Sequence, residues 1–224
     1  MNFVKTAIRV LLLSSAIGTP LALQAQGLFN TGQNVSTVAG AVRDNAWTVT
    51  ATPFNPSTVA AYVVTGNPGS WQANSVAPQY QWISAATNAS VGGSQSYLYT
   101  TSFDLTGFSL PSVSFSFQCA KDNFGTTISL NSVSIFTGAV CNDNNIFTFG
   151  VTQSINSGFV QGVNSLTFAT SGDGGTDGLL VAFSNFQGTR TTSTVTPEPS
   201  SILLVGFGAS MLGLVARRRR NRAP

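Results

Sequence analysis

Two cysteines, six aspartates and no histidine define the chemistry available to the chain between residues 27 and 196. Cys119 and Cys141 stand 22 positions apart. In an oxidising compartment two such residues pair more readily than they carry a reactive thiol. Closing that loop would stabilise the fold by roughly 3 kcal/mol in the chain-entropy treatment. The alternative is two small hydrophobes, Cys119 on the apolar face of a strand and Cys141 in a loop. The run Gly172-Asp173-Gly174-Gly175-Thr176-Asp177-Gly178 mixes carboxylates with glycines, which makes Asp173 and Asp177 a calcium candidate. It lacks the spacing and terminal Glu of an EF-hand, and glycine with aspartate ahead of a strand also makes a plain turn. Asp122-Asn123 reads the same way, first as a turn and second as a ligand. No cofactor is expected.

Catalysis finds little purchase in this set. Without histidine there is no Ser-His-Asp triad, no Cys-His pair and no His-ligated metal. A glycosidase needs paired carboxylates, and the candidates are Asp44, Asp104, Asp122, Asp143, Asp173 and Asp177. Asp104, Asp122 and Asp143 fall near strand ends or turns, where aspartate belongs for its own reasons. No catalytic residue is assigned, and the chain reads as a protein that is not an enzyme. Trp47, Trp71, Trp82, Tyr62, Tyr80, Tyr97 and Tyr99 could form a stacking platform for a sugar, but alternating aromatics in a sheet are mostly core. Trp71, inside Gly66-Asn67-Pro68-Gly69-Ser70-Trp71, is the one singled out as an exposed ligand contact.

The elements that must position these residues are strands. Of the 224 residues 42% are hydrophobic and 8% charged, against about 25% charged in an average soluble domain. That excludes helical bundles and coiled coils, and 16 Phe argue against disorder. Val113, Phe115, Phe117 and Cys119 alternate with polar residues, as do Tyr97, Tyr99 and Phe103, which puts one face in a core and one in water. Ile128 and Leu130 are in one phase and Val133 and Ile135 in the other, so a turn or bulge is expected at Asn131-Ser132. Leu179, Val181 and Phe183 form a last strand. Further strands are expected at 46–51, 58–64, 79–84, 146–151 and 164–169. The fold class is all-β: an antiparallel two-sheet β-sandwich of about nine strands over residues 27–188.

A series of landmarks in this region runs Trp82-Ile83, Tyr97 to Leu105 ending Phe103-Asp104-Leu105, Asp122-Asn123, Leu130-Asn131-Ser132 and Gly162-Val163-Asn164-Ser165-Leu166. The series resembles the galactose-binding-like jelly-roll domains of bacterial surface proteins, with Ser132 in place of the usual hairpin glycine. The resemblance implies a jelly roll, which in such domains binds carbohydrate in many cases and is structural in others.

The two ends of the chain read as addresses. Lys5 and Arg9 precede an apolar run that starts at Val10, and small residues follow, the three parts of a secretory signal peptide over residues 1–26. Cleavage follows Ala25 or Gly27. At the other end comes a polar stalk with Pro197-Glu198-Pro199 over residues 189–200. Residues 201–216 then form sixteen uncharged, mostly apolar positions, read as a transmembrane helix. That is short against the 20 or so of a plain membrane helix. Arg217, Arg218, Arg219 and Arg220 follow as a stop-transfer cluster in a basic cytoplasmic tail, 217–224. Seven of the ten basic residues lie at these ends, and residues 27–196 carry a net −3. A nucleic-acid surface would need basic residues clustered on the domain, so nucleic acid is set aside.

Pro-Glu-Pro, a short Gly-containing apolar helix and an Arg run resemble the PEP-CTERM sorting signal, with Thr196 where Val is usual. The resemblance implies processing near Pro197-Glu198-Pro199 by an exosortase in a Gram-negative bacterium, typically one that makes exopolysaccharide. The expected partners are that enzyme, the secretion translocon, signal peptidase and an extracellular polysaccharide. The expected location is a transient inner-membrane anchor, then the cell surface or medium. The leading reading is a non-enzymatic surface or matrix protein associated with exopolysaccharide or biofilm. A carbohydrate-binding module using an aromatic patch or loop is the alternative, and an Asp-based hydrolase the third.

Overall fold

The computed structural model describes residues 25–66, 69, 71–77, 79–122, 124–142 and 148–191. All but Thr191 belong to one compact unit, Met1–Arg190, and Thr191 opens a second, Thr191–Pro224. The described strands are β1 (Val35–Val38), β2 (Ala41–Thr52), β3 (Asn55–Val63), β4 (Ser75–Val76), β5 (Gln79–Tyr80), β6 (Ile83–Ser84) and β7 (Gln95–Asp104). They continue with β8 (Ser114–Asp122), β9 (Phe124–Leu130), β10 (Val133–Thr137), β11 (Gln153–Ile155), β12 (Val163–Gly172) and β13 (Gly178–Gln187). Nine of these have four or more residues, and the only helical piece among the described residues is a 3-10 turn at Leu110–Ser112.

The strands form an antiparallel β-sandwich. One run of hydrogen-bonded neighbours goes β10-β9-β12-β7-β2-β3 and continues β6-β13-β8-β11, with β1 added beside β2. Strands distant in sequence therefore lie side by side, the interleaving of a Greek-key or jelly-roll sandwich. Period-2 patterning explains the layering. In β7 the odd positions Tyr97, Tyr99, Thr101 and Phe103 are buried and Leu98 between them is 47% exposed. In β8, Phe115, Phe117 and Cys119 point the same way as Leu179 and Val181 of β13. Rings from the two layers meet in the middle. Phe103 meets Phe115 at 5.6 Å, Phe117 meets Phe168 at 5.7 Å, and Trp47 stacks on Phe183 at 6.2 Å. Such edge-to-face and stacked pairs add about 1 kcal/mol each beyond their buried area.

The last strand is held by the first described segment. Only Leu179 of β13 pairs with β6, through Ile83. Beyond it, Thr31 donates its N–H to the Val181 carbonyl at 3.1 Å, and its hydroxyl accepts the Val181 N–H at 3.0 Å. The Asn30 side-chain oxygen accepts the Phe183 N–H at 2.7 Å.

A second, smaller core covers the outer face of β8 and β13. Ala120 and Leu180 are paired in register, face away from the main core, and lie under Val64, Trp71, Trp82 and Ala89. Three consecutive apolar residues, Leu179-Leu180-Val181, are thus all buried because both faces of β13 are covered.

Several expected strands shift. The expected 79–84 strand is broken into β5 and β6, and β1 was not foreseen. No strand runs through 148–151; β11 lies instead at Gln153–Ile155, where it pairs with Ser116 and Phe117 of β8. Residues 146 and 147 of that expected strand are outside the described residues. The expected turn at Asn131-Ser132 joins β9 to β10, both residues in the left-handed region at φ 51 and 67.

Candidate functional site

The Gly172–Gly178 segment joins β12 to β13 and brings most of the singled-out residues together. A Cβ on Gly172 would collide with the Asp177 carboxylate, and one on Gly178 would meet the Trp71 ring at 2.6 Å, so close approach requires glycine at both positions. Asp177 is fully buried, and its Oδ2 accepts the Tyr97 hydroxyl at 2.8 Å. Its Oδ1 is buried without a hydrogen-bond partner. Burial pushes the Asp177 carboxyl up to about 6, the Tyr97 hydrogen bond opposes this, and the charges of Asp122 and Asp173 add to it. Asp173 is exposed and caps the turn by accepting the Gly175 N–H at 3.2 Å. The calcium candidate is thereby divided: one carboxylate faces solvent and the other lies in the core against Tyr97. Among the described residues no three His, Cys, Asp or Glu gather to hold a metal ion.

Trp71 is not an exposed ligand contact. It is 6% exposed, packs on Trp82 with ring centroids 4.1 Å apart, and donates its indole N–H to Asp122 Oδ2 at 2.8 Å. The Gly-Pro-rich stretch suggested an exposed loop, but the Trp71 ring packs into the small core that includes Ala120 and Leu180. Thr176 adds a hydroxyl to the same Asp122 oxygen at 3.4 Å. Burial raises the Asp122 carboxyl, while the Trp71 and Thr176 hydrogen bonds hold it back. Asn123 and Asp143 lie outside the described residues.

Cys119 and Cys141 form the expected disulfide. It ties β8 to the segment after β10, where Lys121 N–H also donates to the Asn142 carbonyl at 3.0 Å and Gly150 N–H to the Cys119 carbonyl at 3.0 Å.

Two surface depressions among the described residues lie outside this group. One, of about 340 Å³, lies over β2 and β7 and has a mixed lining that includes Phe29, Ala46, Asn34, Asn45, Thr48 and Thr100. The other, of about 300 Å³, runs along β3 past Arg43, Phe54, Asn55, Val59 and Tyr62 to Ala85–Thr87. The Arg43 guanidinium lies 3.3 Å over the Tyr62 ring centre, and one of its N–H groups donates to the Ala60 carbonyl at 2.6 Å. Phe54 is 53% exposed at the β2–β3 turn, and its N–H is fixed by Gln95 Oε1 at 2.7 Å. Sequence reasoning placed Tyr62 in a candidate stacking set but passed over Arg43 and Phe54. The signal was an aromatic set between two prolines, Pro53-Phe54-Asn55-Pro56, a turn that cannot bury it deeply.

Pro197, Glu198, Pro199, Arg217, Arg218, Arg219, Arg220 and the apolar 201–216 run lie outside the described residues, as do residues 1–24. Among the described residues no helix is long and apolar enough to cross a membrane.

Residues 195–220 match the PEP-CTERM protein-sorting motif. No curated protein matches the chain. Among solved structures, TmCBM61 in complex with beta-1,4-galactotriose is 16% identical with a TM-score of 0.38, over 66% of this chain and 90% of that one. A beta-glucosidase from Kluyveromyces marxianus in complex with glucose is 9% identical with a TM-score of 0.35, over 72% of this chain and 18% of that one. The matched motif and the all-β architecture together define the class: an exported β-sandwich protein with a C-terminal sorting signal for the cell surface, of the kind processed by exosortase.

Proposed function

We propose that the chain is a non-enzymatic surface or extracellular-matrix protein of a Gram-negative bacterium, delivered through its sorting motif and associated with exopolysaccharide. The observation that carries this reading is the PEP-CTERM match at residues 195–220, directly behind a folded, disulfide-bonded sandwich. The described aspartates support the non-enzymatic part, since each accepts a hydrogen bond from its own fold. Asp44 takes Gly32 and Ala46 N–H groups, Asp104 takes Thr106, Asp122 takes Trp71, Asp173 takes Gly175 and Asp177 takes Tyr97.

In this reading the translocon and signal peptidase act on the leader, and an exosortase-type enzyme acts near Pro197-Glu198-Pro199. The apolar run over 201–216 holds the chain only until then. The test is fractionation of a native-type host with intact-mass measurement of each fraction. The expected form lacks both end segments, carries the disulfide, and co-isolates with surface polysaccharide. Full-length chain confined to the inner membrane would reject the reading. A carbohydrate-binding role is the second reading, favoured by the half-exposed Phe54 beside Arg43 in a depression large enough for a sugar unit.

A further inference from the structure

The described part of the domain has three basic side chains, and they stand in different circumstances. Lys121 is fully buried. Arg190 sits 4.6 Å over the Phe108 ring, and it adds a small part to the lowering of the Asp104 carboxyl, which the Thr106 hydrogen bonds dominate. Arg43 lines the depression along β3, and no Asp or Glu is among the described residues that line it. Of the five N–H donors of a guanidinium, one is taken by the Ala60 carbonyl. Stacking on Tyr62 holds the planar group in one orientation, so little side-chain entropy is lost when it binds something further. On a domain that carries net −3, this is a fixed cationic fork set among neutral residues.

The rest of the depression suits a sugar ring. Half-exposed Phe54 offers an apolar face to the C–H side of a pyranose, and its backbone is pinned through Gln95. Asn55 supplies an amide to the same depression, although its Oδ1 is occupied by the Ser57 N–H at 3.1 Å. A volume of about 300 Å³ is at the small end of ligand sites, room for one or two sugar units. Planar guanidinium recognises planar carboxylate in a two-pronged way, which a neutral sugar cannot match.

We propose that the Arg43–Tyr62–Phe54 depression is a binding site for an acidic saccharide, with the sugar carboxylate on Arg43 and the ring on Phe54. This deepens the matrix-protein reading and rests on it for its biological setting. The test uses the exported full chain and calorimetric titration with trigalacturonate and with cellotriose as the neutral probe. Trigalacturonate is expected to bind at least tenfold more tightly, with the advantage shrinking as salt is raised. Arg43→Gln should remove that advantage, and Arg43→Lys should recover only part of it. Phe54→Ala, at an exposed position, should weaken both probes while the melting temperature stays unchanged.

Equal affinity for the two probes, or unaltered trigalacturonate binding by both Arg43→Gln and Phe54→Ala, would overturn the proposal. So would a wild type that binds neither probe. The surface and matrix reading is judged separately, by where the wild-type chain fractionates. A chain that reaches the surface without binding trigalacturonate refutes the site and leaves that reading intact.

Discussion

Asn131 donates its side-chain amide to Asn164 Oδ1 at 2.9 Å, which locks the β9–β10 turn to the start of β12 from 33 residues away. Asn164 is fully buried and fully used. Its amide nitrogen donates to the Val160 and Gly162 carbonyls at 2.8 and 2.9 Å, and its oxygen also accepts the Val160 N–H at 2.8 Å. Asn131 Oδ1 in turn accepts the Ser165 N–H at 3.0 Å. Asn164→Ala strands several buried polar groups at once, so a loss of about 2–4 kcal/mol is expected in denaturant unfolding. A loss below about 1 kcal/mol would show that water replaces the amide without penalty.

The same turn supplies a stabilising change. Ser132 adopts φ 67, a conformation that penalises any residue with a Cβ. Ser132→Gly should raise stability by about 0.5–1 kcal/mol, a few degrees in melting temperature. An unchanged or lower melting temperature would mean that the serine side chain compensates for its backbone.

Two buried carboxylates make stability depend on pH. Burial lifts Asp44 and Asp177 to about 6 in the fold, against about 4 in the unfolded chain. Between those values the folded state holds the extra protons. Stability is therefore full below about pH 4 and declines as pH rises through 6, by on the order of 1–3 kcal/mol for each group. Urea unfolding at pH 4, 5, 6 and 7 measures this, and Asp177→Asn should flatten part of the slope. Stability that climbs over this interval would contradict the assignment.

Sorting should fail without loss of folding when its signals are removed. Glu198→Ala, or deletion of Arg217 to Arg220, is expected to leave precursor-mass chain in the inner membrane while the wild type loses its tail and is released. In the proposed reading a proline pair would favour an extended segment for a membrane enzyme, and an Arg cluster would halt translocation. Normal processing of both variants would reduce the tail to an anchor.

The mature N-terminus is expected at Gln26. The Gln26 carbonyl accepts the Asp104 N–H at 2.7 Å and adds an antiparallel bridge at the end of β7. Cleavage after Gly27 would discard that bond, whereas cleavage after Ala25 keeps it. Intact mass of the exported form distinguishes the two.

Alternation was the most readable signal, and it worked where one face is buried and the other wet. Strands β7, β8 and β12 and the turn at Asn131-Ser132 follow from it, and the disulfide follows from cysteine count with an exported setting. The second core was hidden because period-2 reading assigns Leu180 and Ala120 to solvent. Only the unbroken run Leu179-Leu180-Val181 hints that something covers the back of β13. Trp71 was misplaced for the same reason: its partner Asp122 lies 51 residues away. The Arg43 depression was illegible because the β2–β3 pairing slips between Arg43 and Thr48, so no regular register predicts that Arg43 stands opposite Tyr62.

The position of β13 has a consequence for how the chain comes into being. It is the last of the described strands in chain order, yet it sits between β6 and β8 and is clasped by Asn30 and Thr31 from the opposite end of the described sequence. A chain crossing a membrane from its N-terminus cannot close this sandwich until residues near 187 have emerged. Long-range closure of this kind is slow. Completion of the fold thus falls within ten residues of the sorting motif's arrival, so the motif is presented by a domain that has only just become whole. A chain truncated before β13 would emerge with an open seam and two uncovered cores, a substrate for proteases rather than for sorting.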